Sequence, residues 1–568
     1  MKKRTKRKII IVLVSVFTLV LISSSLFVYV VLGPFRSLFW TSPYLMGFLG
    51  TKNYLLLIEN NNELRPTGGF ITAVGHISTL FGYPQITVSD SYQIPDPSPK
   101  IAAPEPFNFL IGSHDPFFAG WTLRDANFSP DFAKSCQDII QLYQKAYPDE
   151  KIDGVFSIDF AVIERLLKEY GPITAEDTTF DDQNFFANTQ RLSKNIDTHD
   201  VEQLKGRKNV LKPFANALIK AIIDSPARYR KLFQILYTLG EEKHFLAYSG
   251  ADSIEQKFSE LGLSGNIHPA ATGSDYLHVN IANIGGRKAD RYMTKDIQLL
   301  TDYSNPEKEQ SKLDITLEHL GSYNIQSDIY QAYIRVYVPD GSELMSSTGE
   351  KLRNTETYRD LGLTVFADTI RMKPGDKITL SYIYSIPEAI SASDYHLRLI
   401  KQPGFQNDSW RVALKQMNDS SMENAADEDV TALMIHENLA IWSGELDHDL
   451  DFHARLTADK QGPVILWQQF TRLNQVNVRF NELLDTKAIQ EITNYQIIDV
   501  NEKNTVSDTV RVTAARFEDR DLWLTVEGVT NQPDEHYQLS LKDIRDVNGN
   551  TTDPNPMIRT LVQRLTNP

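Results

Sequence analysis

Residues 9–32, IIIVLVSVFTLVLISSSLFVYVVL, run without one charged side chain directly behind the basic cluster MKKRTKRK. A helix of that length rises about 36 Å, enough to cross the hydrocarbon core of a bilayer. The sequence therefore predicts a basic tail over residues 1–8 and a single membrane-spanning helix over 9–32. Lysines and arginines ahead of a span favour a cytoplasmic N-terminus, which would put everything beyond Gly33 outside. The small residues at 23–25 resemble a signal-peptide cleavage site, but the apolar run resumes after them as LFVYVVL, which fits an uncleaved anchor better. The expectation is a single-pass protein of the cell membrane with its bulk extracellular and the membrane as a partner.

The remainder is long enough for several domains, each with its own core. A net charge of −15 argues against nucleic acid as a partner, since a phosphate-binding surface needs a local excess of Lys and Arg. Cys136 is the only cysteine, so no intrachain disulfide forms, a pattern that suits a bacterial cell surface better than a eukaryotic ectodomain. In SPDFAKSCQDIIQLYQKAY, Cys136, Ile139, Ile140, Tyr143 and Tyr147 recur at helical spacing and predict a buried thiol.

Strand-like and helical patterns alternate from about 45 to 304. YLLLI reads as a strand buried on both faces. FITAVGHIST and QITVSDSY read as a hairpin turning at FGYP. A helix is expected from an N-cap at Ser129, with Pro130 in its first turn. KIDGVFSIDF predicts a strand, and AVIERLLKEY a helix ended by Gly171. This alternation predicts an α/β domain, a mixed sheet with flanking helices. Beyond it, LDITLEHL, DIYQAYIRVYVP, LGLTVFADTIRM and KITLSYIYSIP predict a first β-sandwich over 305–458. QVNVRFNELLD, TVRVTAARF and LWLTVEGV predict a second, immunoglobulin-like one over 462–568.

Three basic loops in the α/β region carry the chemistry worth weighing. In ENNNELRPTGGF, Arg65 stands beside Thr67, Gly68 and Gly69, a hydroxyl and two residues that permit close backbone approach. An arginine there can hold a phosphate bidentately. Arg124 and Asp125 precede the helix expected at Ser129, and Arg207 and Lys208 in KGRKN precede another, so both places have helix-start N–H groups to offer an anion. The competing reading is that each arginine pairs with a nearby acid such as Glu63 or Asp125. No zinc-protease, P-loop or nucleophile-elbow signature is present, and the twelve histidines are scattered.

The stretches YLLLIENNNELRPTGGFITAVG, LRDANFSPDF, DGVFSIDF…LLKEYGPI and DYLHVNIANIGGRKADRYM resemble, in order, the bacterial family called domain of unknown function 4012, over about residues 50–300. The same order is more distantly similar to the LytR-CpsA-Psr phosphotransferases, which move polyprenyl-pyrophosphate-linked glycopolymers onto the cell wall. That likeness implies catalytic roles for Arg65 and Arg207, with Arg124 added on its helix-start position. Thr67, Gly68, Gly69, Asp125 and Lys208 would then line the substrate. It also implies a divalent cation such as magnesium, although Asn60 and Thr67 stand where that family has its metal-holding acids, and no cofactor or metal site is read from the residues themselves. The expected function is binding or transfer of a lipid-linked glycan or cell-wall polymer in the envelope. The alternative is a non-catalytic surface adhesin or scaffold that binds through its β-sandwiches, and whether the chain is an enzyme stays open.

Overall fold

The structure is a computed structural model. It describes residues 29–105, 120–193 and 211–563, apart from 270, 305–307, 325, 392, 407, 416–420, 425–433, 437–438, 458–461, 473, 483, 501–504, 507–509, 519, 530–536 and 547–548. The expected membrane helix and the single-pass placement built on it are not supported. Among the described residues no helix is long and apolar enough to cross a membrane. Residues 1–28 lie outside the described residues, and the chain that follows turns into a short 3-10 helix at Gly33–Leu38.

The first domain is built on a five-stranded sheet in the order β3-β2-β1-β4-β7. Its strands are β1 (Lys52–Asn60), β2 (Phe70–Leu80), β3 (Tyr83–Asp90), β4 (Gly154–Asp159) and β7 (Phe245–Ser249). β1 runs antiparallel to β2 and parallel to β4, so the sheet is mixed. Helix α1 (Phe132–Ala146) buries Phe132, Cys136, Ile139 and Leu142 against Leu55, Leu57 and Val155, which places Cys136 in the core. The helix starts two residues later than expected. Asp131, not Ser129, is its N-cap, accepting from the Lys134 N–H at 2.8 Å, while the Ser129 hydroxyl accepts from the Asp131 N–H. Helix α2 (Phe160–Tyr170) is capped by Asp159 and ends at Gly171, whose φ of +91° few other residues adopt. A two-strand hairpin, β5 (Ile173–Ala175) with β6 (Thr178–Phe180), covers that helix.

The second domain is a sandwich of two seven-stranded sheets, larger than an immunoglobulin-like set of seven to nine strands in all. Its centre is made by β8 (Asp275–Asn283) and β9 (Met293–Asp302), which the sequence reading assigned to the α/β domain. β8 lies between β11 (Tyr330–Val338) and β16 (Asp394–Ile400), and β9 between β10 (Gln310–His319) and β17 (Asp408–Lys415). The expected boundary at 304/305 therefore cuts both sheets, and the sandwich runs from 275 to about 457. Strand identity is a local property, whereas sheet membership depends on partners far along the chain. β8 is buried along its whole length because both its faces are covered. Leu277, Val279 and Ile281 face the sandwich core, while Tyr276 and Ala282 share a cluster with Ala103 and Phe128 of the α/β domain.

The third domain pairs a five-stranded with a four-stranded sheet between Ile465 and Gln563. Its core, including Phe470, Val478, Leu522, Leu539 and Ile544, draws, among the described residues, only on its own.

Candidate functional site

The β1–β2 loop leaves the α/β sheet and enters the sandwich. Leu64 at its tip is wholly buried in the sandwich core. Its N–H donates to Asp290 Oδ2 at 2.9 Å, and its carbonyl accepts from the Asn283 N–H at 3.0 Å. Arg65, only 1% exposed, spreads its guanidinium across the join. Nε and Nη2 donate to Asp125 Oδ1 at 3.0 and 2.9 Å, and Nη2 lies 3.3 Å from Glu63 Oε1. Nη1 donates to the carbonyls of Leu64 and of Asn283, the latter a strand residue of the sandwich. Burial opposes the charge, yet Asp125 and Glu63 outweigh it and raise the Arg65 pKa. Asp290 is pushed up to about 6 by burial, held back by hydrogen bonds from the Leu64 N–H, Asn283 and Tyr330.

The glycines serve this join. A Cβ on Gly68, at φ +145°, would lie 2.2 Å from Glu59 Oε2, and one on Gly69 would lie 2.4 Å from the Asn60 backbone. Across the seam, Gly404 of KQPGF is pressed on Gly68 so closely that a Cβ there would meet its carbonyl at 2.0 Å. Asn61 Nδ2 donates to the Gly404 carbonyl at 3.3 Å, and Gln402 exchanges both its amide groups with the Ile281 backbone. Thr67 is buried, with no hydrogen-bond partner for its hydroxyl among the described residues.

Glu59 closes the loop from beneath. Its Oε2 accepts from the Gly69 N–H at 2.8 Å and its Oε1 from Asn127 at 3.2 Å. Burial pushes its pKa up to about 8, against the hydrogen bond from Gly69 and with a smaller push from Asp159. A carboxyl whose folded pKa lies above its unfolded value stabilises the fold fully below about pH 4.5, and that contribution is lost as pH rises through 8. Urea unfolding between pH 6.5 and 8 should therefore show stability falling by up to about 1.4 kcal/mol per pH unit. Glu59→Gln, which keeps the shape and removes the titration, should flatten that slope. An unchanged slope would mean that Glu59 is ionised in the fold.

The other residues singled out in the sequence are placed as follows. Arg124 Nη2 donates to Asp96 at 3.0 Å, and its guanidinium sits 4.7 Å from the centre of the Tyr92 ring. Asp125 is the partner of Arg65. Arg207 and Lys208 lie outside the described residues.

A second polar group lies on the same seam, around KQPGF at 401–405. A cleft of about 180 Å³ is lined by His244, Lys401, Phe405, Asp408, Glu445 and Asp447. Around it several ionisable side chains meet in pairs. His244 Nδ1 is 2.5 Å from Asp159, Lys243 is 2.6 Å from Asp449, and Lys295 is 3.2 Å from Asp408. Lys401 donates to the carbonyls of Gln402 and Phe405. Burial pulls its pKa down to about 8, against the attraction of Asp408.

Fold and seam thus define a three-domain, largely β chain in which one loop of an α/β domain is built into the sandwich that follows it. Residues 50–192 match the family described as "Protein of unknown function (DUF4012)". No curated protein matches the sequence. Among solved structures the chain is similar to the Lin1025 protein of Listeria innocua, at 10% identity over 40% of this chain and 84% of that one, with a TM-score of 0.20. Lmo1026 of Listeria monocytogenes has 11% identity, the same coverage and a TM-score of 0.19. An M1 zinc metallopeptidase of Deinococcus radiodurans has 10% identity over 33% of this chain and 46% of that one, with a TM-score of 0.16. At these TM-scores the likenesses say nothing of activity.

Proposed function

We propose that this chain is a non-catalytic scaffold or binding protein, in which the α/β domain and the large sandwich form one platform and the third domain is a further binding module. The observation that supports it is the engagement of Arg65. A guanidinium that is to grip a pyrophosphate must keep donors for it, and this one spends them on Asp125, Glu63 and two carbonyls. Arg124 is likewise held by Asp96. Glu59, the acid nearest the loop glycines, is buried and tied to Gly69 and Asn127, which suits a structural clamp better than a metal ligand.

The test is a titration with inorganic pyrophosphate and with a polyprenyl-pyrophosphate-linked glycan, each with and without magnesium. The expected outcome is no saturable binding that depends on Arg124 and no transfer of glycan. Arg124 is buried but its partner Asp96 is exposed, so Arg124→Ala should remain folded at somewhat lower stability, which circular dichroism checks. If that folded variant loses a pyrophosphate affinity that the parent shows, or if glycan is transferred, the scaffold reading fails.

A further inference from the structure

β16 pairs antiparallel with β21 (Leu450–Thr457), and His396 stands directly opposite His453. Strand alternation puts Asp394 on the same outer face, two residues before His396, while Tyr395, Leu397 and Phe452 turn into the core. The two imidazoles stack with ring centres 3.8 Å apart and planes 17° from parallel. Both direct Nε2 at one carboxylate. His453 Nε2 lies 2.7 Å from Asp394 Oδ1, and His396 Nε2 lies 3.6 Å from Asp394 Oδ2. One ligand atom from each of the three side chains lies within 4.8 Å of the other two, the one such group among the described residues.

We propose that Asp394, His396 and His453 bind a divalent transition-metal ion of the zinc class on the outer face of the sandwich. Directly opposed residues of an antiparallel pair have Cβ atoms about 4.5–5.5 Å apart, a spacing that lets two imidazoles reach one ion. Zinc takes imidazole nitrogen at about 2.0–2.1 Å and carboxylate oxygen at about 2.0–2.2 Å. Tetrahedral ligand atoms then stand about 3.4 Å apart, which the two rings reach by rotating out of their stack so that each meets the ion in its own plane. The ion takes the place of the contact between His453 and Asp394. Two nitrogens and one carboxylate favour zinc, nickel or copper over magnesium or calcium, which prefer all-oxygen shells. Three protein ligands on a solvent-facing surface leave the remaining positions to water or to an exogenous group. The bound ion would tie β21, which also carries the edge strand β18 (Ser421–Asn424), to the centre of its sheet.

The full-length protein, free of any affinity tag, is titrated with zinc by calorimetry and with cobalt by its visible ligand-field absorption. One ion per chain is expected, unaffected by excess magnesium. His396→Ala and His453→Ala should each weaken binding by roughly tenfold to a hundredfold or more and remove the cobalt spectrum. Asp394→Asn should weaken binding to a lesser degree. Both histidines lie on the outer face, so the metal-free variants should keep the parent circular dichroism and melting behaviour. Absence of zinc binding by the parent, or zinc affinity and cobalt spectrum unchanged in the double histidine variant, overturns the assignment.

Discussion

Arg65→Ala should lower the stability of the joined α/β domain and sandwich by roughly 3–5 kcal/mol, the usual consequence of removing one partner from a buried ion pair. The variant leaves Asp125 and Glu63 facing each other without their cation. It also leaves the Asn283 carbonyl without its 2.5 Å donor. Since Glu63 and Asp125 keep some contact with water, the lower end of that range is expected. Arg65→Lys should recover only part of the loss. An ammonium retains the charge, but it cannot reach Asp125, Leu64 and Asn283 at once as the planar fork does. Urea unfolding followed by limited proteolysis reads this out, with cleavage expected first in the β1–β2 loop. A midpoint unchanged in Arg65→Ala would mean that the loop is ordinary surface.

A fragment of residues 305–458 should not fold, whereas residues 462–568 alone should. The first lacks β8 and β9, the middle strands of both large sheets, and with them Leu277, Ile281, Ile297 and Leu299 of the shared core. The second retains every residue of its own cluster. Amide dispersion in NMR spectra separates the outcomes. A dispersed spectrum from the 305–458 fragment would show that the remaining strands re-pair without their centre, and a collapsed spectrum from 462–568 would show that the third domain needs the sandwich.

Local pattern was readable in the chain wherever one segment supplies its own evidence. YLLLI is β1, AVIERLLKEY is a helix that ends at Gly171, and Cys136 faces the core with the helical period of its neighbours. Long-range pairing was not readable. DYLHVNIAN looks the same whether it joins the first sheet or the sandwich, and only its register with Tyr330–Val338 and Asp394–Ile400 decides. The same limit governs the sites. Glu63 and Asp125 were visible as acids near Arg65, but Asn283 lies 218 residues away. His396 and His453 become a pair only through the register of two strands. KQPGF is a further case. Its meaning, a glycine flattened against another glycine, belongs to the assembled seam.

The burial of Leu64 in the sandwich has a consequence for how the chain is made. Asn61 and the Gly404 carbonyl it contacts are 343 residues apart, so the loop leaves the ribosome long before its socket exists. At roughly 5–20 residues per second, the tip of that loop waits on the order of tens of seconds with its leucine in water. Until then the α/β domain can close its sheet but not the underside of its β1–β2 corner. During that interval a chaperone, or a second nascent chain, meets the loop at its most adhesive. Slowing translation anywhere between the two halves of the seam lengthens that exposure without changing a single residue.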